Sequence, residues 1–193
     1  QGHQVAVLGR SAAQATLPVG AEPIAADATD EAAVCAALRG ADAAVMALSI
    51  PRASRSPFAP TVGPLDLHSR ATACVIAAAQ QTGLRRVIKI SAQSVGDSAP
   101  RAGWGFRLLV ACSQLAPAFA DHARADALLA ATSLDWTILR PPILADGAGA
   151  GIQRAGLDVT TWSWSRVAID DLATYIVAHL DDPATYRQTW SLA

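Results

Sequence analysis

A chain of 193 residues with 52% hydrophobic content is long enough for one domain around one sizeable core, and its abundant alanine favours closely packed helices. The net charge is −1, from 15 basic and 16 acidic residues without a basic run, which argues against nucleic acid or an anionic membrane surface as partner. No long apolar span or secretory leader is visible, and the three cysteines, Cys35, Cys74 and Cys112, share no short spacing; a reducing, cytoplasmic setting is expected, with the cysteines as small core residues and no metal site.

The elements alternate along the chain. Val5-Ala6-Val7-Leu8 reads as a buried-type strand followed by Gly9-Arg10-Ser11, and Pro23 to Ala26 as a second short strand. Thr29 is expected to cap a helix with Asp30 and Glu31 in its first turn, at the positive end of the dipole, and Gly40 to close it. Ala43 to Leu48 is the next strand. A proline-rich loop from Ser49 to Gly63 then leads to a helix from Pro64 to Thr82, with His68, Ala71, Thr72, Val75, Ile76 and Ala79 on one face and Gly83 as its stop.

Arg86 to Ile90 forms a strand ending at Ser91, and short helical segments are expected over Phe106 to Leu115 and Pro117 to Ala131. Trp136 to Leu139 is a β-rich apolar run, closed by Pro141 and Pro142, which have no N–H to donate to a ladder. Such a break carries the following residues, Ile143 onward, across the carboxyl edge of a sheet, where open α/β folds bind ligands. Gly147, Gly149 and Gly151 read as a loop, Leu157 to Thr160 as short β pieces, and the Trp162-Ser-Trp164-Ser alternation as an edge strand or pocket wall. A helix from Asp170 to Leu180 and a strand from Gln188 to Leu192 end the chain. This alternation predicts a single α/β domain over residues 1–193, built on a parallel, doubly wound sheet.

The run Leu-Asp-Trp-Thr-Ile-Leu-Arg-Pro-Pro, residues 134–142, follows an Ala-rich helix. It resembles the sixth-strand segment of atypical short-chain dehydrogenases of the NAD(P)-binding NmrA-like group, to which flavin and biliverdin reductases are related. Asp121-His122-x-Arg124 is similar to the Asp-His-x-Arg segment of those reductases. The resemblance implies a Rossmann-like fold and places Val5–Arg10 on the family's second strand. The family's first strand and its Gly-rich turn, which cradles the dinucleotide pyrophosphate, would then be absent. Roughly 25–35 further residues, a strand and a crossover helix, are therefore expected ahead of Gln1. Without that central strand, those at Val5 and Ala43 would lack their shared neighbour.

The resemblance also implies site residues. Arg10, with Ser11 beside it, would meet the adenosine ribose, where a guanidinium accommodates the 2′-phosphate of NADP(H). Asp27 would lie near adenine, Ala47-Leu48-Ser49 beneath the cofactor, and Pro141-Pro142-Ile143 across its nicotinamide end. Ser91 would face the nicotinamide, and His122, at the position of the usual lysine, could donate a proton near neutral pH. The Tyr-x-x-x-Lys acid pair of ordinary short-chain dehydrogenases is missing: the sole lysine is Lys89, inside a strand, and the tyrosines are Tyr175 and Tyr186. These features together imply an NADPH-dependent reductase passing hydride to a flat conjugated acceptor such as a flavin or quinone. The rival reading is a non-catalytic NADP(H)-sensing regulator, and a sugar-nucleotide epimerase is disfavoured by the missing tyrosine and lysine. Neither the acceptor nor the oligomeric state is readable from the sequence.

Overall fold

The computed structural model describes residues 2–193. Its elements, in chain order, are β1 (Val5–Gly9), β2 (Ala21–Ala25), α1 (Glu31–Leu38), β3 (Ala43–Met46), α2 (Leu67–Thr82), β4 (Arg86–Ile90), α3 (Trp104–Ala111) and α4 (Ala116–Ala130). They continue with β5 (Asp135–Arg140), β6 (Ile143–Ala145), β7 (Ala155–Gly156), β8 (Arg166–Ala168), α5 (Ile169–Ala178) and β9 (Gln188–Leu192). The main sheet has the order β3-β4-β5-β9-β7, parallel except for β7, which runs antiparallel to β9. Strands β1 and β2 form a separate parallel pair, as do β6 and β8.

Alternation along the central strands explains the two helical layers. Side chains of successive strand residues point to opposite faces. Val87 of β4 and Trp136 and Ile138 of β5 therefore meet α1, α2 and α4 in one core, which Ala71, Ala78 and Ala79 let approach closely. Ile88 and Leu139 point the other way, onto Leu172 and Ile176 of α5. Both faces of β4 and β5 are covered, so the sheet is doubly wound as expected. Gly83 ends α2 in the left-handed region, at φ 80°, with its N–H on the Ala79 carbonyl.

Several local expectations change. Asp30, rather than Thr29, caps α1: its carboxylate accepts from the Ala32 and Ala33 N–H groups, while Thr29 turns back to Asp27. Strand β7 lies at Ala155–Gly156, short of the segment expected over Leu157 to Thr160, and β8 was not anticipated. The segment holding Trp162 and Trp164 is a turn and not an edge strand. Cys112 is exposed, whereas Cys35 packs in the core. Among the described residues no strand joins β1 to β3, although Leu8 of β1 packs on the same core as Ala44 and Met46 of β3. No helix among them is long and apolar enough to cross a membrane.

Candidate active site

Parallel strands bring their carboxyl ends to one edge, and this edge gathers most of the residues expected to be functional. Arg10 and Asp27 follow β1 and β2, which are paired through Gly9 and Ala25. Both side chains are exposed. Asp27 Oδ1 accepts from the Thr29 N–H and hydroxyl, each at 2.8 Å; these bonds, assisted by the Arg10 and Arg70 charges, hold its carboxyl below the usual range. Asp27 thus shapes a turn and also stands in the field of Arg10. Ala47, Leu48 and Ser49 continue β3 as an irregular segment, with Ala47 and Ser49 exposed.

The ends of β4 and β5 are zipped together beyond the strands proper. Ser91 N–H donates to the Leu139 carbonyl at 2.7 Å, and Gln93 N–H to the Pro141 carbonyl at 2.9 Å. Pro141 can accept here because only its donor is missing. Pro142 leaves the ladder, and Ile143 starts β6 on the far side.

Behind Ser91 lies a buried ionic cluster. Asp126 of α4 accepts from Lys89 Nζ at 2.8 Å, from Ser91 Oγ at 2.9 Å, and from Arg140 Nε and Nη2 at 3.3 and 3.1 Å. Lys89 is 1% exposed; Ser91, Asp126 and Arg140 are 5% each. The third Arg140 nitrogen, Nη1, pairs with Asp97. Burial pushes the Lys89 ammonium below its ordinary value, and Asp126 works in the opposite direction. Two buried cations thus share one buried carboxylate: Lys89 depends on Asp126 for compensation, and Arg140 divides its charge between Asp126 and Asp97. Because the Ser91 hydroxyl proton is committed to Asp126, the Ser91 oxygen is left as an acceptor, able to orient an amide or hydroxyl donor.

His122 departs from the expectation. It is not an exposed helical imidazole: it stacks on His68 with ring centroids 3.7 Å apart, and Nδ1 lies 3.3 Å from Lys89 Nζ. Since an ammonium only donates, Nδ1 is the acceptor and the ring proton sits on Nε2. Burial, then the neighbouring His68 and Lys89, push its pKa down to about 2, and burial with Lys89 takes His68 to about 4. At neutral pH both rings are uncharged, which removes His122 as an ordinary imidazolium donor. Asp121, the partner residue of the Asp-His-x-Arg segment, is also fully buried. It accepts from the His68 and Ser69 N–H groups at 2.7 and 3.3 Å and from the Ser69 hydroxyl at 2.6 Å.

A shallow, half-open pocket lies beside this cluster, lined by Gln93, Phe106, Pro142, Ile143, Thr161, Trp162, Ser163 and Ser165. Trp162 supplies its outer wall and is itself 85% exposed; Trp164 is 65% exposed and outside the lining. The turn is held by Ser165 Oγ accepting from Trp162 N–H and by the Ala102–Thr161 bridge. At Gly103 a Cβ would collide with the Ser163 backbone nitrogen, so glycine lets this turn and the start of α3 close on each other. Gly147, Gly149 and Gly151 lie elsewhere, in a loop tied by Gly151 N–H to Asp171.

Lys89, Asp126, Arg140 and Gln93 were not singled out from the sequence. A usable signal existed for the first three: a lysine inside and an arginine ending strands buried on both faces require a partner, and an aspartate at His122 plus four supplies one on the same helix.

This edge, with an exposed arginine at one end and a serine-lined, apolar-walled pocket at the other, is that of a dinucleotide-binding α/β protein. The chain belongs to the NAD(P)H-binding family, whose model matches residues 1–183. It is 31% identical over 128 residues to the Bacillus subtilis (strain 168) protein named as the uncharacterized sugar epimerase YhfK; the match covers 66% of this chain and 53% of YhfK, so it spans about half of that relative. Similar solved structures include the oxidoreductase ylbE from Lactococcus lactis, with TM-score 0.78 and 18% identity over 100% of this chain and 80% of ylbE. Another is ChuY, an anaerobillin reductase from Escherichia coli O157:H7, with TM-score 0.69 and 27% identity over 90% of this chain and 75% of ChuY.

The residues present fit the two ends of an NAD(P)H molecule: Arg10 and Ser11 stand exposed at the carboxyl end of β1, and Ser91 keeps an acceptor oxygen at that of β4. A Gly-rich turn running from strand into helix, the usual pyrophosphate cradle, is not among the described residues.

Proposed function

We propose that the chain is the nucleotide-binding part of an NADPH-dependent reductase whose acceptor is a flat conjugated molecule. The carrying observation is the composition of the pocket beside Ser91: Phe106, Pro142, Ile143 and Trp162 give it apolar and ring faces, and none of its lining residues is titratable. An acceptor bound there receives no proton from a phenol, imidazole or ammonium in the wall. Flavins, quinones and similarly conjugated systems accept hydride under those terms, because their proton can come from solvent. The reductase label of ChuY supports the same direction. The label of YhfK points toward epimerases, but the sole lysine here is locked to Asp126 and no tyrosine lines the pocket.

When bound, NADPH would supply the hydride. Arg10 and Ser11 would grip the 2′-phosphate, Ala47 to Ser49 would pass beneath the dinucleotide, and Ser91 would orient its nicotinamide end through the acceptor oxygen. Pro141, Pro142 and Ile143 would close the apolar side. His122 would contribute packing and a fixed tautomer behind Lys89 rather than a proton. The test is steady-state NADPH oxidation by the intact protein across a flavin, a quinone and an aliphatic ketone. Measurable rates are expected with one of the first two and negligible rates with the ketone. Tight NADPH binding without turnover on any of the three would overturn the reductase reading and leave a sensor.

A further inference from the structure

Gln93 is the one lining residue whose side chain is both fully buried and idle. It is 1% exposed, and neither Oε1 nor Nε2 has a hydrogen-bond partner among the described residues. Its position is nonetheless firmly set. Its backbone N–H is held by the Pro141 carbonyl, and the next residue, Ser94, sits at φ 75°, a conformation that non-glycine residues seldom adopt. Gln93 lines the pocket together with Phe106, Pro142, Ile143, Thr161 and Trp162. Leaving a buried donor and a buried acceptor unmet costs the desolvation of each group with no bond in return. A stable protein keeps such a pair where an ordered water or a ligand satisfies it, and beside an open pocket a ligand can take that place.

We propose that Gln93 is a specificity-determining residue that reads the cyclic-amide edge of the acceptor, a ring N–H beside a ring carbonyl. This rests on the reductase reading above and narrows it. A primary amide carries a donor and an acceptor side by side, and a lactam or imide carries the complementary pair. Two parallel hydrogen bonds form at once, Nε2 donating to the ring carbonyl and the ring N–H donating to Oε1. A quinone offers only carbonyls, which would leave Oε1 unmet in a dry site. Sites built to bond a ligand N–H reject analogues lacking it far more strongly than apolar pockets reject a missing methylene. The pocket is an open depression rather than a cavity that encloses a whole ligand. It meets the polar edge of one heterocyclic ring, with the remaining conjugated system lying toward the exposed face of Trp162.

The shared chemistry occurs in the imide ring of a flavin and in the terminal lactams of a linear tetrapyrrole, and the experiment separates them. The intact protein is titrated with lumiflavin and 3-methyllumiflavin, and with biliverdin and its lactim ether, following ligand fluorescence or absorbance. NADPH oxidation is measured with the same four compounds. At least one parent compound should bind 10- to 100-fold more tightly than its alkylated partner, and the larger ratio identifies the source. Gln93→Leu should bring that ratio close to one. Equal affinity within both pairs for the unaltered protein overturns the proposal without recourse to any variant, as does a Gln93→Leu protein that keeps the preference. Absence of NADPH oxidation with all four compounds would count against the reductase reading alone, because the binding ratios still report on Gln93.

Discussion

Asp126 holds more of this site together than any other single residue, since Lys89 and Arg140 both lean on its carboxylate and Ser91 is oriented by it. Removing one member of a buried ion pair is costly only when it strands a charge. Asp126→Asn would strand Lys89, which has almost no solvent, and leave Arg140 with Asp97 alone; it should destabilise the fold by about 3–5 kcal/mol. Lys89→Met removes one cation, conserves the volume, and leaves Asp126 paired with Arg140; it should cost less than about 1.5 kcal/mol. Urea denaturation of the two variants checks the order, and an equal loss from both would show that Asp126 is not the shared counter-ion. At the opposite end of the edge, Arg10 has no partner within hydrogen-bond distance among the described residues and is free to meet a phosphate. Arg10→Ala should selectively weaken NADP(H) by about 1.5–3 kcal/mol, as expected for a charge-assisted contact. Titration of the intact protein with NADPH and NADH reads this directly; an equal drop for both cofactors would mean that the arginine does not sense the 2′-phosphate.

Among the elements, α2 shows how the site is braced. Its own N-cap, Asp66, makes no side-chain capping bond. The first-turn donors of α2 are instead taken by Asp121, reaching across from α4, with Arg124 closing on the same carboxylate at 3.0 Å. That tertiary cap fixes α4 against α2 and so sets Asp126, one turn further on, beneath Ser91. Asp121→Ala should therefore destabilise the protein by about 2–3 kcal/mol, at or above the upper range for a local cap, because His68 N–H is left unmet in the interior. A loss below about 1 kcal/mol would place the brace elsewhere. The helix itself was legible in the sequence through its apolar face and Gly83, and β4 and β9 fall on the predicted residues. The cap was not, because residues 53 positions apart leave no trace in local periodicity. The same distance effect hid β8 and the turn at Trp162: three-residue strands and bridged turns are stabilised by neighbours, here β6 and Ala102, rather than by their own pattern.

Across the whole molecule, strand–helix alternation sufficed to predict a doubly wound sheet, and the strand ends bring Ser91 and Pro141–Pro142 together, with Arg10 at the end of β1 in the separate pair. It could not show that His122 would be buried against a second histidine, since one-dimensional spacing is silent on which helices meet. That contact has a global consequence. His68 and His122 have folded pKa values near 4 and 2, lowered first by burial, against about 6.5 when unfolded. A basic group with a depressed pKa binds more protons in the unfolded chain, so stability falls as pH drops below 6.5. The His68 contribution stops changing near pH 4, where its folded form protonates, and that of His122 continues to near pH 2. Asp27 and Asp97 also sit below the ordinary carboxylate value, through bonds from Thr29 and Arg140; their stabilisation is lost only as pH falls from about 4 downward, outside this window. Lys89, Asp121 and Asp126 are the charged groups that face the two rings. Over that interval each buried histidine should remove on the order of 2 kcal/mol of stability. Urea midpoints at the two pH values should thus drop steeply for the native sequence. His122→Gln should lose about 2 kcal/mol less across the same interval, whatever its stability at pH 7.5. Parallel losses in the two proteins would mean that His122 takes up its proton in the folded state and is not held neutral behind Lys89.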